Sequence, residues 1–148
     1  MGYTMDPDPE TTAKAYGKNL QISPKKSVEV CRFIRGKDVD VAIDMLDDVI
    51  EKKRAVPYRK HKKEIAHQKG SGPGGYPEKV ATKIKVLLEE AKSNAESKGL
   101  DPEGMDILTI SAHQGEVIPG FQSRAFGRTS PADRKTTNVE VILKEKEM

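Results

Sequence analysis

The sequence predicts a two-layer α+β domain, with three helices packed on one face of a small antiparallel sheet. Three observations predict it. Helical periodicity recurs in three separate stretches, over residues 24–35, 40–53 and 77–98. Two β-branched, roughly alternating stretches, Ile107–Ala112 and Thr137–Leu143, stand near the end of the chain. The third is scale: 148 residues fit one domain of ordinary size, and a hydrophobic share of 35% beside 33% charged leaves only a small core.

The elements follow in order. Residues 1–12 are expected to form a flexible arm, because Asp6-Pro7-Asp8-Pro9 resists both helix and strand, and residues 13–148 a single domain. Leu20-Gln21-Ile22 reads as a short strand. Ser23-Pro24 then starts a helix: the hydroxyl is placed to cap free amides, and Pro is favoured at the first helical position. Val28, Cys31 and Ile34 recur along it at helical spacing, Val30 and Phe33 widen the stripe, and Gly36 closes it. Cys31 is the only cysteine, which excludes an internal disulfide and a cysteine metal cluster; on an apolar face it reads as a small core residue. A second helix runs from about Asp40 to Lys53 on Ile43, Leu46, Val49 and Ile50, with Asp38 or Asp40 as its cap. Asp44, Asp47, Asp48 and Glu51 read as a solvated face rather than a metal site, since no complementary set with hard-cation spacing stands nearby.

From Arg54 to Gly75 the periodicity disappears. Gly70-Ser71-Gly72-Pro73-Gly74-Gly75 lacks the Gly-Lys-Ser/Thr ending of a phosphate loop and reads as a flexible connector. Pro77 opens the clearest helix, with Val80, Ile84, Leu87, Leu88, Ala91 and Ala95 on one face and Gly99-Leu100 as its stop. Leu108, Ile110 and Ala112 are expected to line one face of the first closing strand, with Val139, Val141 and Leu143 their counterparts. Between those strands, His113–Thr136 contains Gly115, Pro119, Gly120, Gly127 and Pro131 but almost no aliphatic residues. Such a length exceeds an ordinary turn, so the excursion is functional, disordered or held by a partner.

Charge separates the function classes. The net charge of +3 hides a run, residues 52–69, that carries eight Lys/Arg against Glu64 alone. That run is +7, which leaves −4 for the rest and points to a polyanionic partner. Its candidate contacts are Lys52, Lys53, Arg54, Arg59, Lys60, Lys62, Lys63 and Lys69, with Tyr58, His61 and His67 among them. Without Cys partners, the two histidines read as polar contact residues rather than zinc ligands. The excursion adds Arg124, Arg128, Arg134 and Lys135, interleaved with Phe121, Gln122 and Phe126: guanidinium groups suit phosphates, and both they and Phe stack on exposed bases. No nucleophile–base pair, carboxylate pair, metal set or cofactor motif has persuasive spacing, so no enzymatic activity is expected. No apolar run approaches the roughly 20 residues that span a bilayer. The acidic, Pro-rich start is the opposite of a secretory signal, and a cytoplasmic protein is expected.

An ordered set of segments carries a family resemblance. They are Asn19-Leu20-Gln21-Ile22-Ser23-Pro24-Lys25-Lys26, Ile34-Arg35-Gly36-Lys37, Ala55-Val56-Pro57-Tyr58, Gly75-Tyr76-Pro77, Asn94-Ala95 with Lys98-Gly99-Leu100, and Arg124-Ala125-Phe126-Gly127-Arg128. In this order, across Ala13 to Glu145, the sequence resembles the universal large-subunit ribosomal protein family numbered twenty-two, in its archaeal and eukaryotic branch. The resemblance implies a non-enzymatic constituent of the large subunit that binds its ribosomal RNA, supports assembly, meets neighbouring ribosomal proteins and lines part of the nascent-peptide tunnel. It turns the excursion into the outer part of one protruding hairpin, residues 106–143, whose tip is Gln122, Ser123, Arg124, Ala125, Phe126, Gly127 and Arg128. It also adds Ser23, Lys25 and Lys26 to the RNA contacts and makes residues 52–76 a basic insertion of this branch. An arm of ~18 extended residues reaches roughly 60 Å. A lone two-stranded ribbon is marginal in water, so its outer part is expected to need RNA. The alternative from a different class is a free-standing RNA- or DNA-binding regulator using the same basic loop.

Overall fold

The computed structural model describes residues 3–146. Strand β1 (Thr12–Leu20) leads into helices α1 (Pro24–Ile34) and α2 (Val39–Ile50). Short strands β2 (Val56–Pro57), β3 (His67–Gln68) and β4 (Gly72–Gly75) precede α3 (Glu78–Ser97). The chain then builds β5 (Met105–Ile118), β6 (Phe121–Ser123), β7 (Thr129–Pro131) and β8 (Arg134–Glu145). β8 is the central strand of an antiparallel sheet between β1 and β5. α3 packs over β1, α1 over β5, and α2 is held mainly by α3, which is the expected two-layer α+β arrangement. Ile34, Leu46, Ile84, Leu88, Ile110, Val141 and Leu143 are fully buried between the layers.

Local chemistry sets the helix ends. The Ser23 hydroxyl accepts from the Lys26 amide at 3.4 Å, and Pro24 fills the first helical position. Asp38 caps α2 by accepting from the Asp40 amide at 2.9 Å. Gly99 takes φ +81°, and the Leu100 amide reaches back to the Ala95 carbonyl at 3.0 Å, so α3 stops where expected. Asp47 of the acidic run and Asp40 in the first turn of α2 accept from Lys85 and Lys92 of α3, each at 2.6 Å, and tie the two helices together. Cys31 is fully buried, and burial pushes its thiol up to about 12, the state of an inert core residue.

Five expectations need correction. The first strand is Thr12–Leu20 rather than a short piece at Leu20–Ile22. Its inward residues, Ala13, Ala15 and Gly17, are too small to register as an apolar alternation, yet they let α3 come close. In α1 the buried stripe is Ser27, Val30, Cys31 and Ile34, with Val28 only half-buried at its edge. The second helix ends at Ile50, not Lys53. β5 carries a bulge at Leu108: Ile107 faces Leu143 and Thr109 faces Ile142, so the core face passes from Ile107 to Ile110 and leaves Leu108 half-buried, while Ala112 packs against the core as expected. On β8, Val139, Val141 and Leu143 are buried as expected. The stretch 70–75 is not a connector: Gly72–Gly75 pairs with β2 on one side and β3 on the other. A Cβ at Gly74 would meet the Val56 carbonyl oxygen at 2.7 Å, so glycine permits that close pairing.

Before β1, the segment expected to be an arm reaches the sheet's second face. The Thr4 amide donates to Glu140 at 3.0 Å, the Thr4 hydroxyl donates to the other carboxylate oxygen, and Tyr3 meets the Tyr16 ring edge-on at 5.7 Å. Met1 and Gly2 of that segment lie outside the described residues.

Candidate nucleic-acid interface

The basic loop is an ordered structure whose first residues are buried in the main core. Val56 and Tyr58 are buried, and the Tyr58 amide donates to the Pro73 carbonyl at 2.8 Å, locking the start of the loop to β4. Beneath the next turn lies Glu29 of α1, only 1% exposed. Its carboxylate accepts from three successive amides: Arg59 at 2.8 Å, Lys60 at 2.8 Å and His61 at 2.9 Å. Burial by itself would raise the Glu29 pKa; the three amides and the neighbouring His61 outweigh it and hold the group below the ordinary glutamate value.

Two depressions meet at the first turn of α1. Lys25, Lys26, Lys60, His61 and Lys63 line a notch of about 360 Å³ that has Glu29 and Tyr58 in its wall. Ser23 and Lys26 also line a wider cleft of about 1000 Å³, closed on its other sides by Tyr76–Val80 and by the hairpin residues Ile118–Gly120, Ala132 and Arg134–Thr136. Lys79, Arg134 and Lys135 bring further cations to that cleft, against Glu78. The α1 start is therefore the hub at which the basic loop and the root of the hairpin meet.

The hairpin leaves the domain through a polar knot. Asn19 has φ +52°, in the left-handed region that asparagine tolerates better than most residues. Its amide donates to the Asn138 side-chain oxygen at 2.8 Å, and its own side-chain oxygen accepts from the Glu116 amide at 3.2 Å. The Thr136 hydroxyl donates to the Glu116 carbonyl at 2.6 Å. A Cβ at Gly115 would stand 2.6 Å from the Asn19 oxygen and 2.7 Å from the Thr136 hydroxyl, so only glycine fits the middle of the knot. There the ladder slips, from Gln114 opposite Thr137 to Val117 opposite Lys135.

Beyond the knot the ribbon continues through β6 and β7 to a turn closed by the Arg124 amide donating to the Arg128 carbonyl at 2.7 Å. Phe126 at the apex is 95% exposed and Phe121 78%, so neither serves the core. Phe126 also has φ +60°, an uncommon conformation for a bulky side chain. The Arg124 guanidinium donates through Nε to the Ser130 hydroxyl at 3.0 Å.

The expected contact residues thus fall into groups. Ser23, Lys25, Lys26, Lys60, His61, Lys63, Arg134 and Lys135 gather around the α1 start. Lys62 is exposed beside them without lining either depression. Lys52 and Lys53 pair with Glu78 at 3.5 Å and Glu51 at 2.7 Å, and Arg54 sits over the Phe33 ring at 6.0 Å, so these three are engaged within the domain. His67 and Lys69 lie on and just after β3, and Arg124 and Arg128 stand at the far tip. Sequence reasoning missed Lys79 and Glu29. The signal for Glu29 was a lone acid between Val28 and Val30 beside a buried stripe. Its destination became visible only once the loop was folded over it.

Comparison with known proteins gives the family. The model of the family described as ribosomal protein L22p/L17e matches residues 15–144. Large ribosomal subunit protein uL22 of Methanopyrus kandleri is 49% identical over 143 residues, covering 94% of this chain and 90% of that protein. The proteins of the same name from Methanococcoides burtonii and Archaeoglobus fulgidus are 46% and 42% identical, covering 97% and 96% of this chain and 95% and 94% of their own lengths. The chain belongs to the ribosomal protein L22p/L17e family.

Proposed function

We propose that this chain is a structural constituent of the cytoplasmic large ribosomal subunit, where it binds large-subunit ribosomal RNA and supports assembly without chemical turnover. Family membership over nearly the whole chain carries this conclusion. The geometry supports a division of labour. The loop and the α1 start form the anchor: Lys25, Lys26, Lys60, Lys62 and Lys63 have no ion-pair partner among the described residues, so they are available to phosphate oxygens. Binding there releases counterions condensed on the RNA. Arg134 and Lys135 extend the anchor to the hairpin root, and Tyr58, Arg59, His61, His67 and Lys69 complete the loop's contacts. Lys52, Lys53 and Arg54 are exposed and extend these contacts, since surface pairs such as those with Glu78 and Glu51 are weak and readily exchanged for phosphate.

The hairpin supplies reach. Its outer part presents Phe121, Phe126, Arg124 and Arg128 on backbone pairing and the Arg124–Ser130 bond, without a buried core, a ribbon suited to lying in an RNA-lined channel. Residues Gln122–Arg128 then face the wall of the nascent-peptide tunnel and the peptide itself, and neighbouring ribosomal proteins meet the domain's outer surface. The test is sedimentation after expression in an archaeal host: the protein should remain with large subunits through a moderate-salt wash. Recovery as a free protein or on messenger RNA would favour a free-standing regulator instead, and chemical footprinting on the subunit would locate the anchor.

A further inference from the structure

Glu29 is an acid buried beneath a strongly basic loop, yet it binds that loop's backbone rather than any of its cations. Three successive N–H groups converging on one carboxylate resemble the concavity with which backbone nests hold anions. Here the anion is the protein's own. Residues 59–61 are consequently curled against α1 with the Arg59 and Lys60 side chains exposed, and Lys60 and Lys63 share a 360 Å³ notch with Lys25 and Lys26. Both Glu29 oxygens are taken by backbone amides and pair with none of these lysines, so the notch presents net positive charge to an incoming anion.

We propose that this notch is a seat for an RNA backbone phosphate, formed by Lys25 and Lys26 on one wall and Lys60 and Lys63 on the other, with Glu29 as the positioning residue that holds the two walls together. The proposal rests on the RNA-binding function above and adds the place and its organiser. Glu29 touches no RNA. The three hydrogen bonds it accepts from backbone amides order the loop before RNA arrives, which removes that entropic cost from the binding step.

The experiment uses the full chain and large-subunit ribosomal RNA of an archaeal relative, with affinity measured across a salt series. Replacing Lys60 and Lys63 by Ala should lower the salt slope by up to ~0.7–0.9 in total, the value for one lost phosphate. Glu29→Gln keeps the side chain's size but removes the charge and puts a donor where an acceptor is needed. It should lower the slope similarly, and adding it to the Lys60/Lys63 double variant should produce little further loss. Amide exchange should quicken at Arg59, Lys60 and His61 while β8 stays protected. Additive losses would overturn the positioning role, because they would show Glu29 acting independently of those lysines. If Glu29→Gln unfolds the domain, the Lys25/Lys26 and Lys60/Lys63 double variants still decide the seat. Two walls that grip one phosphate give coupled losses, whereas independent losses would refute it. Equal binding of an unrelated RNA of the same length would count against the ribosomal function alone, since slopes measured on that RNA score the seat in the same way.

Discussion

The inner and outer halves of the hairpin are one pair of strands under two different regimes. Inside the knot, Ile107, Ile110, Val139, Val141 and Leu143 are buried under the helices, and the second face of β8 buries Asn138, Glu140 and Ile142 as well. Outside it, Val117, Ile118, Phe121 and Phe126 are all exposed, and β6 pairs only with β7. The backbone pairing that builds both halves therefore cannot be what stabilises the inner one. Burial does that, and the outer ribbon must obtain its equivalent from a partner. The knot of Asn19, Gly115, Glu116, Thr136 and Asn138 marks the boundary and directs the ribbon as it leaves.

The largest effect should come from cutting the inner half. Ile110→Ala removes a fully buried side chain and should cost about 2–5 kcal/mol in urea unfolding, whereas Phe126→Ala at the tip should stay within about 0.5 kcal/mol. Equal losses would contradict the division. Next is the boundary: Gly115→Ala pushes a methyl group into the Asn19 and Thr136 oxygens and should cost about 1–3 kcal/mol, read from the same unfolding curves.

A pH series separates the basic loop from both halves. The folded chain holds Glu29 ionised to lower pH than the unfolded chain does, so the unfolded state binds more protons through that interval. The contribution is complete above the ordinary glutamate range and is lost as pH falls through the folded value. Amide protection at residues 59–61 should fall in that acid window before that of β8, as measured by hydrogen exchange; unchanged relative protection would argue against Glu29 as the loop's holder. The smallest stability effect belongs to the anchor lysines. Replacing Lys60, Lys62 and Lys63 by Ala should leave unfolding within about 0.5 kcal/mol per site while flattening the salt dependence of RNA binding by up to ~0.7–0.9 per lost contact. An unchanged slope would make these lysines a solvated face.

Legibility followed the size of the hydrophobic signal. The third helix, with Ile84, Leu87 and Leu88 on one face and Gly99 at its end, was plain, because large aliphatics at helical spacing permit little else. β1 was mostly missed: Ala13, Ala15 and Gly17 bury fully or nearly so but carry almost no apolar signal. β4 was missed because glycine ordinarily disfavours strands, while its value here lies in admitting the Val56 carbonyl. At the candidate interface the cations were legible as a run, but their grouping around the α1 start was not, since residues 25, 60 and 134 are far apart in sequence.

By itself, then, the sequence determined the α+β class, the helix boundaries to within a few residues, the concentration of positive charge and the family. These depend on local periodicity, caps and composition, which short stretches carry alone. Only the tertiary structure decided that Leu108 bulges out, that Gly115 must admit Asn19, and that a buried Glu29 shapes the basic loop. Each depends on atoms brought within about 3 Å from distant parts of the chain, and no periodicity along the chain encodes such contacts.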